Sequence, residues 1–258
     1  SYVVRLTTDT GITGIGQSAF WGYPEATERI INVFKDYLIG QNPLRIEHHW
    51  QHLYRMAPFR GTALSGAVSA IDIALYDIKG KYFEVPVWEL LGGNCRDKIR
   101  LHLLSGGSTP ETMFAAAKTA KEEGFTALKF DPIPGGYQNK TQARMIKTAV
   151  EITAAAREAS GPDVDLIIEV HRKLTPMVGI ALGEALKQFE ILFMEDPIQI
   201  DTITTQADIA KRLSIPIANG ERFTTIWEFR ELLERGGPQY VRPDVALAGG
   251  LTQCKKIA

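Results

Sequence analysis

The sequence has few cysteines and no excess of charge of either sign. Cys95 and Cys254 are the only cysteines among 258 residues. Two cysteines without metal-site spacing make no disulfide framework, so we predict buried thiols in a reducing, cytoplasmic environment. Lys and Arg number 29 against 30 Asp and Glu, a formal net charge of −1. With no basic field to attract a polyanion, nucleic acid is excluded as an expected partner.

Long apolar runs are also absent from the sequence. No run approaches the roughly 18 residues that a bilayer-spanning helix needs, so no membrane association is expected. The first residues do not have the layout of a signal peptide. With 45% hydrophobic residues, the 258-residue chain is still long enough to bury a large core.

The first 95 residues combine a hairpin pattern with three helical stretches. Apolar alternation over residues 2–6 and 12–15, with a turn around Gly11, predicts the hairpin. The glycines of this segment do not have the GxGxxG spacing of a nucleotide-binding loop. Three helices are expected to follow, over Pro24–Leu38, residues 44–54 and residues 62–81.

From residue 98 onward the pattern becomes a repeated alternation of strand and helix. The predicted strands begin at Leu101, Ala127, Leu166, Leu192, Ile215 and Tyr240. Repeated βα units predict a parallel sheet, either doubly wound or closed as a barrel. A complete (β/α)₈ barrel takes about 250 residues, so residues 98–258 provide six units, and we expect two further units to be missing.

Three successive predicted strands each end on a glutamate. Glu169, Glu195 and Glu221 lie 26 residues apart in each interval. Since the carboxyl ends of parallel strands meet at one edge, these side chains would converge and repel one another unless a cation joined them. Carboxylate oxygens suit Mg²⁺. The alternative is that each glutamate contacts a helix N-terminus or solvent.

Several longer motifs have a recognisable order and spacing. They are Glu-Asp-Pro at 195–197, Asn-Gly-Glu-Arg at 219–222, and the segments 242–252, 70–81 and 86–93. Together they resemble the mandelate racemase/muconate lactonizing enzyme family of the enolase superfamily, over essentially the whole chain. The resemblance implies one essential Mg²⁺ ion and an enediolate intermediate.

The resemblance also implies a fold and a ligand set. The expected fold class is α/β. Residues 1–95 would form part of an N-terminal α+β capping domain, and residues 96–258 would form six of the eight units of a (β/α) TIM-type barrel. Glu169, Glu195 and Glu221 match the three metal ligands of the family. The first ligand is more often Asp in the family, so Glu169 is a modest departure.

Two further strand ends carry residues with implied roles. His171 resembles the general acid of the acid-sugar dehydratases, and strand alternation would direct it to the same side as Glu169; the alternative is a structural histidine. Lys129 and Asp131 occupy a Lys-x-Lys pattern in which aspartate replaces the second lysine. Asp131 is a much weaker base, which disfavours two-base racemisation, and is assigned to substrate binding. Lys129 would offer charge to the substrate or to neighbouring carboxylates, or form a structural ion pair.

Asp244 resembles the aspartate of the family's His-Asp dyad. Its histidine, the expected general base, would lie beyond Ala258; a helix-capping role for Asp244 is the alternative. Trp21 and Arg60 lie on segments that resemble the substrate-specificity loops of the family, and are expected to bind substrate or else to pack as a lid.

These residues favour a Mg²⁺-dependent lyase that dehydrates a small-molecule acid sugar to a 2-keto-3-deoxy acid. An epimerase, racemase or cycloisomerase of the same superfamily is the first alternative. A catalytically silent binding or structural relative is the second. The resemblance also implies a homo-oligomer.

Overall fold

The computed structural model describes residues 2–20 and 22–258. Over these residues the strands, in chain order, are β1 (Tyr2–Thr7), β2 (Thr13–Ser18), β3 (Leu103–Leu104), β4 (Ala127–Phe130), β5 (Asp165–Glu169), β6 (Phe193–Glu195), β7 (Ile217–Asn219) and β8 (Tyr240–Val241). They form one antiparallel pair, β1–β2, and one parallel sheet with the order β3-β4-β5-β6-β7-β8.

Helices account for most of the remaining described chain. In order they are α1 (Pro24–Leu38), α2 (Ile46–Arg55), α3 (Thr62–Phe83), α4 (Val87–Leu90), α5 (Pro110–Glu122), α6 (Gln142–Ser160), α7 (Pro176–Leu186), α8 (Ile203–Arg212), α9 (Ile226–Glu234) and α10 (Gly250–Ile257). Among the described residues, no helix combines the length and apolar character needed to cross a membrane.

The chain divides into two compact units. The first contains the described residues up to Asp97 together with Gly220–Arg230 and Pro243–Ala258, and the second contains Lys98–Asn219 and Glu231–Arg242. The division into domains at residue 95 stays a prediction.

The first unit is built on the hairpin that the sequence predicts. Arg5 pairs with Ile15 across β1 and β2. Helix α3 packs directly on β2 because two strand residues have no side chain: a Cβ atom on Gly14 would lie 2.1 Å from the Ala74 carbonyl oxygen, and one on Gly16 would lie 1.9 Å from that of Ala70. These glycines therefore serve helix–sheet packing.

Helix α3 also connects to α10 within the first unit, through a buried carboxylate. Asp72, only 2% exposed, accepts hydrogen bonds from the backbone N–H of Thr252 at 3.0 Å and from its hydroxyl at 2.5 Å. These bonds satisfy donors in the first turn of α10. Burial raises the pKa of Asp72 to about 7, although the bonds from Thr252 act in the opposite direction.

The two cysteines are less buried than the sequence analysis predicts. Cys95 is exposed and Cys254, on α10, is half-buried, so the prediction of two buried thiols was wrong. Both are free thiols. Burial raises the pKa of Cys254 to about 12, which keeps its thiol protonated at neutral pH.

The second unit contains all six parallel strands. Their observed starts lie within two residues of the predicted ones, which confirms the alternation of strand and helix. The strand order follows the chain order, as in consecutive units of a (β/α) barrel. The predicted α/β class, with a small N-terminal α+β part and six parallel βα units, is therefore confirmed.

The two faces of this sheet have different partners. Leu128, Leu166 and Met194 belong to the large core that the helices of the second unit complete. Ala127, Ile167 and other alternating residues form a separate, smaller cluster. Since side chains two apart in a strand share a face, residues 129, 169 and 195 lie on the face of this smaller cluster.

We expect Gly16→Ala to destabilise the protein by about 1–3 kcal/mol, because the added methyl group would collide with the backbone of α3. Urea denaturation measures this loss. Gly135→Ala is the matched control, since no atom lies within 4 Å of the position that its added methyl group would take. Equal unfolding midpoints for the two variants would contradict the packing argument.

Asp72 should make stability depend on pH. Its folded-state pKa of about 7 exceeds the ordinary value of 3.8, so the unfolded chain releases this proton first as pH rises. The contribution of Asp72 to the free energy of unfolding is therefore greatest below pH 4. Up to about 4 kcal/mol of this free energy is lost as the pH rises towards 8.

Asp72→Asn removes the ionisable group at this position. Comparing the native protein with this variant at each pH therefore separates the effect of Asp72 from that of the other ionisable groups. The free energy of unfolding of the native protein should fall relative to that of the variant between pH 4 and pH 8, as measured by urea denaturation at each pH. A constant difference would show that Asp72 does not titrate in this range.

Candidate active site

Two glutamates end neighbouring strands at the same height. Glu169 closes β5, Glu195 closes β6, and the two are paired in the sheet register. Each is 1% exposed. Because both side chains point to the same face of a parallel sheet, their carboxylates lie in one buried space at its carboxyl edge.

Lys129 joins the two carboxylates. It projects from β4, the strand next to β5, and is 7% exposed. Its Nζ atom lies 2.5 Å from Oε2 of Glu169 and 2.8 Å from Oε2 of Glu195. The predicted contact of Lys129 with neighbouring carboxylates is thus present in the structure.

The surroundings of Glu195 disfavour the ionised form of its carboxyl group. Burial is the largest influence raising the pKa of Glu195, the charge of Glu169 adds to it, and Lys129 acts in the opposite direction. Arg242 Nε lies 3.1 Å from Glu195 Oε1. That oxygen nevertheless accepts no hydrogen bond, so the contact with Arg242 is an ion pair without hydrogen-bond alignment.

These groups fit a bound cation. Two buried carboxylates converge, their donor atoms are all oxygen, and one of these oxygens lacks a hydrogen-bond donor. Hard oxygen donors are the ligands that Mg²⁺ prefers. The fit rests on these two carboxylates alone, since no group of three His, Cys, Asp or Glu side chains that could hold a metal ion occurs within the described residues.

Glu221 belongs to the first unit. It follows Gly220, is half-buried, and its Oε2 lies 3.4 Å from Nη2 of Arg222. Its assignment as the third metal ligand stays a prediction.

His171 is positioned by a turn. Strand β5 ends at Glu169, and His171 and Arg172 have left-handed φ angles of 55° and 62°. The expectation that strand alternation directs His171 was therefore wrong. The backbone N–H of His171 instead donates to Glu169 Oε1 at 2.9 Å, which holds the turn against the carboxylate.

Asp131 directs the imidazole. Its Oδ2 lies 3.1 Å from Nδ1 of His171, and the same oxygen accepts a short hydrogen bond from Lys173 Nζ. Its Oδ1 accepts from the backbone N–H of Ile133 at 3.0 Å. Sequence reasoning assigned Asp131 to substrate and overlooked Lys173. No sequence pattern identifies Lys173, because the strand ends at Glu169 and the residues that follow form a turn.

A second buried polar group lies directly after Glu195 in the chain. Asp196, the next residue, has a φ of 42° and is fully buried. The side-chain amide of Asn219 donates to Asp196 Oδ1 at 3.1 Å and to Gln206 Oε1 at 2.9 Å. Gln206 also donates to the backbone oxygen of Gln199 at 2.8 Å. Sequence reasoning gave no role to Gln206, because a lone glutamine in a helix has no distinguishing pattern.

Asp244 lies in the first unit and closes a turn. Its Oδ1 accepts from the backbone N–H of Ala246 at 2.8 Å. Burial is the main influence raising the pKa of Asp244, the bond from Ala246 lowers it, and the charge of Glu221 raises it. These contacts hold a turn and do not cap α10, which begins at Gly250 with Gly249 before it and no side-chain cap. The dyad role of Asp244 stays a prediction.

Trp21 and Arg60, from the N-terminal region, are the two residues predicted to bind substrate. Trp21 lies outside the described residues. Arg60 is exposed, and its Cζ atom lies 5.9 Å from the centroid of the Trp227 ring. Its role in substrate binding stays a prediction.

Two family models match the chain. Residues 1–92 match the mandelate racemase/muconate lactonizing enzyme N-terminal domain, and residues 112–258 match the enolase C-terminal domain-like model.

Individual relatives cover nearly all of this chain. The D-galactonate dehydratase of Klebsiella pneumoniae (strain 342) is 36% identical over 259 residues, which are 99% of this chain and 67% of the relative. An enolase from Agrobacterium radiobacter, solved with Na and L-malate bound, has a TM-score of 0.92 at 28% identity and covers 99% of this chain and 66% of its own. The 3,6-anhydro-D-galactonate cycloisomerase of Zobellia galactanivorans has a TM-score of 0.89 at 31% identity, with coverage of 99% and 70%.

The paired glutamates at adjacent strand ends and the two family models agree with the motifs in the sequence. The chain belongs to the mandelate racemase/muconate lactonizing enzyme family of the enolase superfamily, and it is a dehydratase-like enzyme of that family.

Proposed function

We propose that the protein dehydrates an acid sugar by removing the proton next to its carboxylate and expelling the β-hydroxyl group, giving a 2-keto-3-deoxy acid. The observation that carries this proposal is the buried Glu169–Lys129–Glu195 group. His171 donates to Glu169 through its backbone N–H, and its ring contacts Asp131. The similarity to D-galactonate dehydratase supports an aldonate-type substrate.

Glu169 and Glu195 are proposed to hold Mg²⁺, with Glu221 as the third ligand by resemblance. When bound, the ion supplies positive charge where negative charge develops on the substrate carboxylate. Lys129 supplies a further positive charge to this group and is proposed to interact with the substrate carboxylate. Asp244 is proposed to orient the histidine base of the family dyad.

His171 is proposed to protonate the departing hydroxyl group. With Nδ1 donating to Asp131, the Nε2 nitrogen of the imidazolium is left to transfer its proton, and the hydroxyl leaves as water. The resulting enol becomes the keto acid by tautomerisation. Asp131 fixes the ring orientation.

A cycloisomerase is the second candidate, because one structural neighbour is a 3,6-anhydro-D-galactonate cycloisomerase. In that case substrate would exchange its α-proton with solvent deuterium without release of water. The homo-oligomeric state and the cytoplasmic location stay predictions.

Glu195→Gln should abolish Mg²⁺ binding and turnover of D-galactonate, because it removes one negative charge from the proposed ligand set. Calorimetric titration with Mg²⁺ and a keto-acid assay measure these effects, and urea denaturation checks the fold. Glu228→Gln, which alters a carboxylate that binds Thr224 and Thr225, is the control. Undiminished Mg²⁺ affinity in Glu195→Gln would refute the metal assignment.

His171→Asn should reduce dehydration by about 100-fold or more, which is the usual contribution of a general acid. The variant should still exchange the α-proton of D-galactonate with solvent deuterium, as followed by proton NMR. Loss of exchange together with dehydration would show that His171 acts at the earlier, proton-removing step.

A further inference from the structure

Two polar side chains are buried where β6 and β7 end. Within these strands Met194 and Ile217 are apolar and fully buried. Asp196 follows directly after β6 and Asn219 is the last residue of β7, and each is at most 1% exposed. Buried polar groups are costly unless they are hydrogen-bonded, so both side chains need partners inside the protein.

Gln206, on α8, supplies a partner from outside the sheet. It is 1% exposed, and its Oε1 accepts a hydrogen bond from Asn219 Nδ2 at 2.9 Å. The same Asn219 nitrogen donates to Asp196 Oδ1 at 3.1 Å. The three side chains therefore form one hydrogen-bonded group that connects a helix to two strand ends.

Gln206 also binds the backbone that follows Asp196. Its Nε2 donates to the backbone oxygen of Gln199 at 2.8 Å and to that of Ile198 at 3.3 Å. Ile198 in turn forms a β-bridge with Leu174, in the segment after β5. One helix side chain thus holds residues 196–199 through a side chain and through two carbonyl groups.

The backbone of Asp196 requires this support. Its φ of 42° lies in the left-handed region, which is unfavourable for a residue other than glycine. Its backbone N–H donates to the carbonyl oxygen of Ala218 at 3.0 Å. Since Asn219 holds the carboxylate of the same residue, both the backbone and the side chain of Asp196 are fixed.

Asp196 passes this constraint to the turn after β5. Its carbonyl oxygen accepts from the backbone N–H of Arg172 at 2.8 Å, and its Oδ2 lies 3.7 Å from Nη1 of the same arginine. Arg172 directly follows His171, the proposed general acid, and both have left-handed φ angles. A displacement of Asp196 would therefore move the turn that carries the imidazole.

The hydrogen-bonded group lies behind the candidate active site. Asn219 shares a face of its strand with Ile217, which belongs to the large core that the helices complete. Glu195 lies on the opposite face, with the smaller apolar cluster. Gln206 therefore acts on the reacting groups only through Asp196 and the turn.

We propose that Gln206 is a positioning residue for the elimination step: by holding Asn219 and Asp196, it fixes the turn that presents His171 to the departing hydroxyl group. The role in elimination rests on the proposed function, whereas the effect on the turn does not. The alternative is that the group only stabilises the fold, in which case its loss would lower global stability without a local effect at the turn.

Gln206→Met tests the effect on the turn in the absence of substrate. Methionine has a similar length but cannot make the hydrogen bonds of Gln206. We expect the Arg172 amide to exchange with solvent deuterium about tenfold faster, since the loss of one net hydrogen bond changes a local opening equilibrium by about this factor. The amides of α5, which follows β3, should keep their native rates. Hydrogen exchange followed by NMR or mass spectrometry measures both.

Two further variants accompany this measurement. Gln188→Met is the matched control, because Gln188 is an exposed glutamine of the same unit that donates only locally, to the backbone oxygen of Ala185 at 2.9 Å. Its exchange pattern should equal that of the native protein. Gln206→Asn keeps an amide on a shorter arm and is less disruptive, so it serves if Gln206→Met does not fold. Faster exchange at Arg172 is expected in Gln206→Asn as well.

Turnover of D-galactonate with Mg²⁺ tests the role in elimination. Gln206→Met should lower kcat for dehydration about tenfold and change KM by less than about twofold, because the interaction affects the transition state and not substrate binding. The α-proton should still exchange with solvent deuterium at the native rate. The double variant Gln206→Met/His171→Asn should be no slower than His171→Asn alone, since both changes act through the same imidazole.

Unchanged exchange at Arg172 in folded Gln206→Met or Gln206→Asn, or acceleration that extends equally to α5, would overturn the effect on the turn. Equal losses of α-proton exchange and dehydration, or additive losses in the double variant, would overturn the role in elimination. Faster exchange at Arg172 in the variant, together with a native protein that does not dehydrate D-galactonate, would refute the proposed function and support the positioning of the turn.

Discussion

The placement of Lys129 between Glu169 and Glu195 is the constraint on which the candidate active site depends. Two carboxylates at neighbouring strand ends, each 1% exposed, could not both remain ionised without positive charge nearby. The ammonium group supplies that charge at 2.5 and 2.8 Å. The two carboxylates are also suitable oxygen ligands for a divalent cation. The same residues therefore form a buried ion pair in the folded protein and the proposed metal site.

The turn after β5 is held by one carboxylate of this pair, that of Glu169. Left-handed backbone angles at two consecutive non-glycine residues cost on the order of 1–3 kcal/mol each, and His171 and Arg172 both have them. Hydrogen bonds from the backbone of His171 to Glu169 and from that of Arg172 to Asp196 offset the cost. Because the turn is held from both sides, the imidazole lies where Asp131 can orient it.

Much of this arrangement follows from local sequence. The sequence predicts the strand starts to within two residues, since apolar periodicity and the βα repeat are local signals. The same signals identify the glutamates at the strand ends. They do not identify the contacts of Lys173, Gln206 and Asn219, because neither a motif nor an apolar periodicity specifies which side chain a polar residue will contact in the fold.

The sequence alone determined the family, the α/β class and the identity of the carboxylates at the strand ends, because motif order and periodicity are properties of neighbouring residues. Only the tertiary structure decided that Asp131 binds His171, forty positions away, and that Arg60 lies over Trp227. Such pairings depend on which strands and loops become neighbours and on the exact course of a turn. The left-handed conformation at His171 shows why: no residue in that segment is a glycine, and the hydrogen bonds that hold it exist only after the sheet has formed.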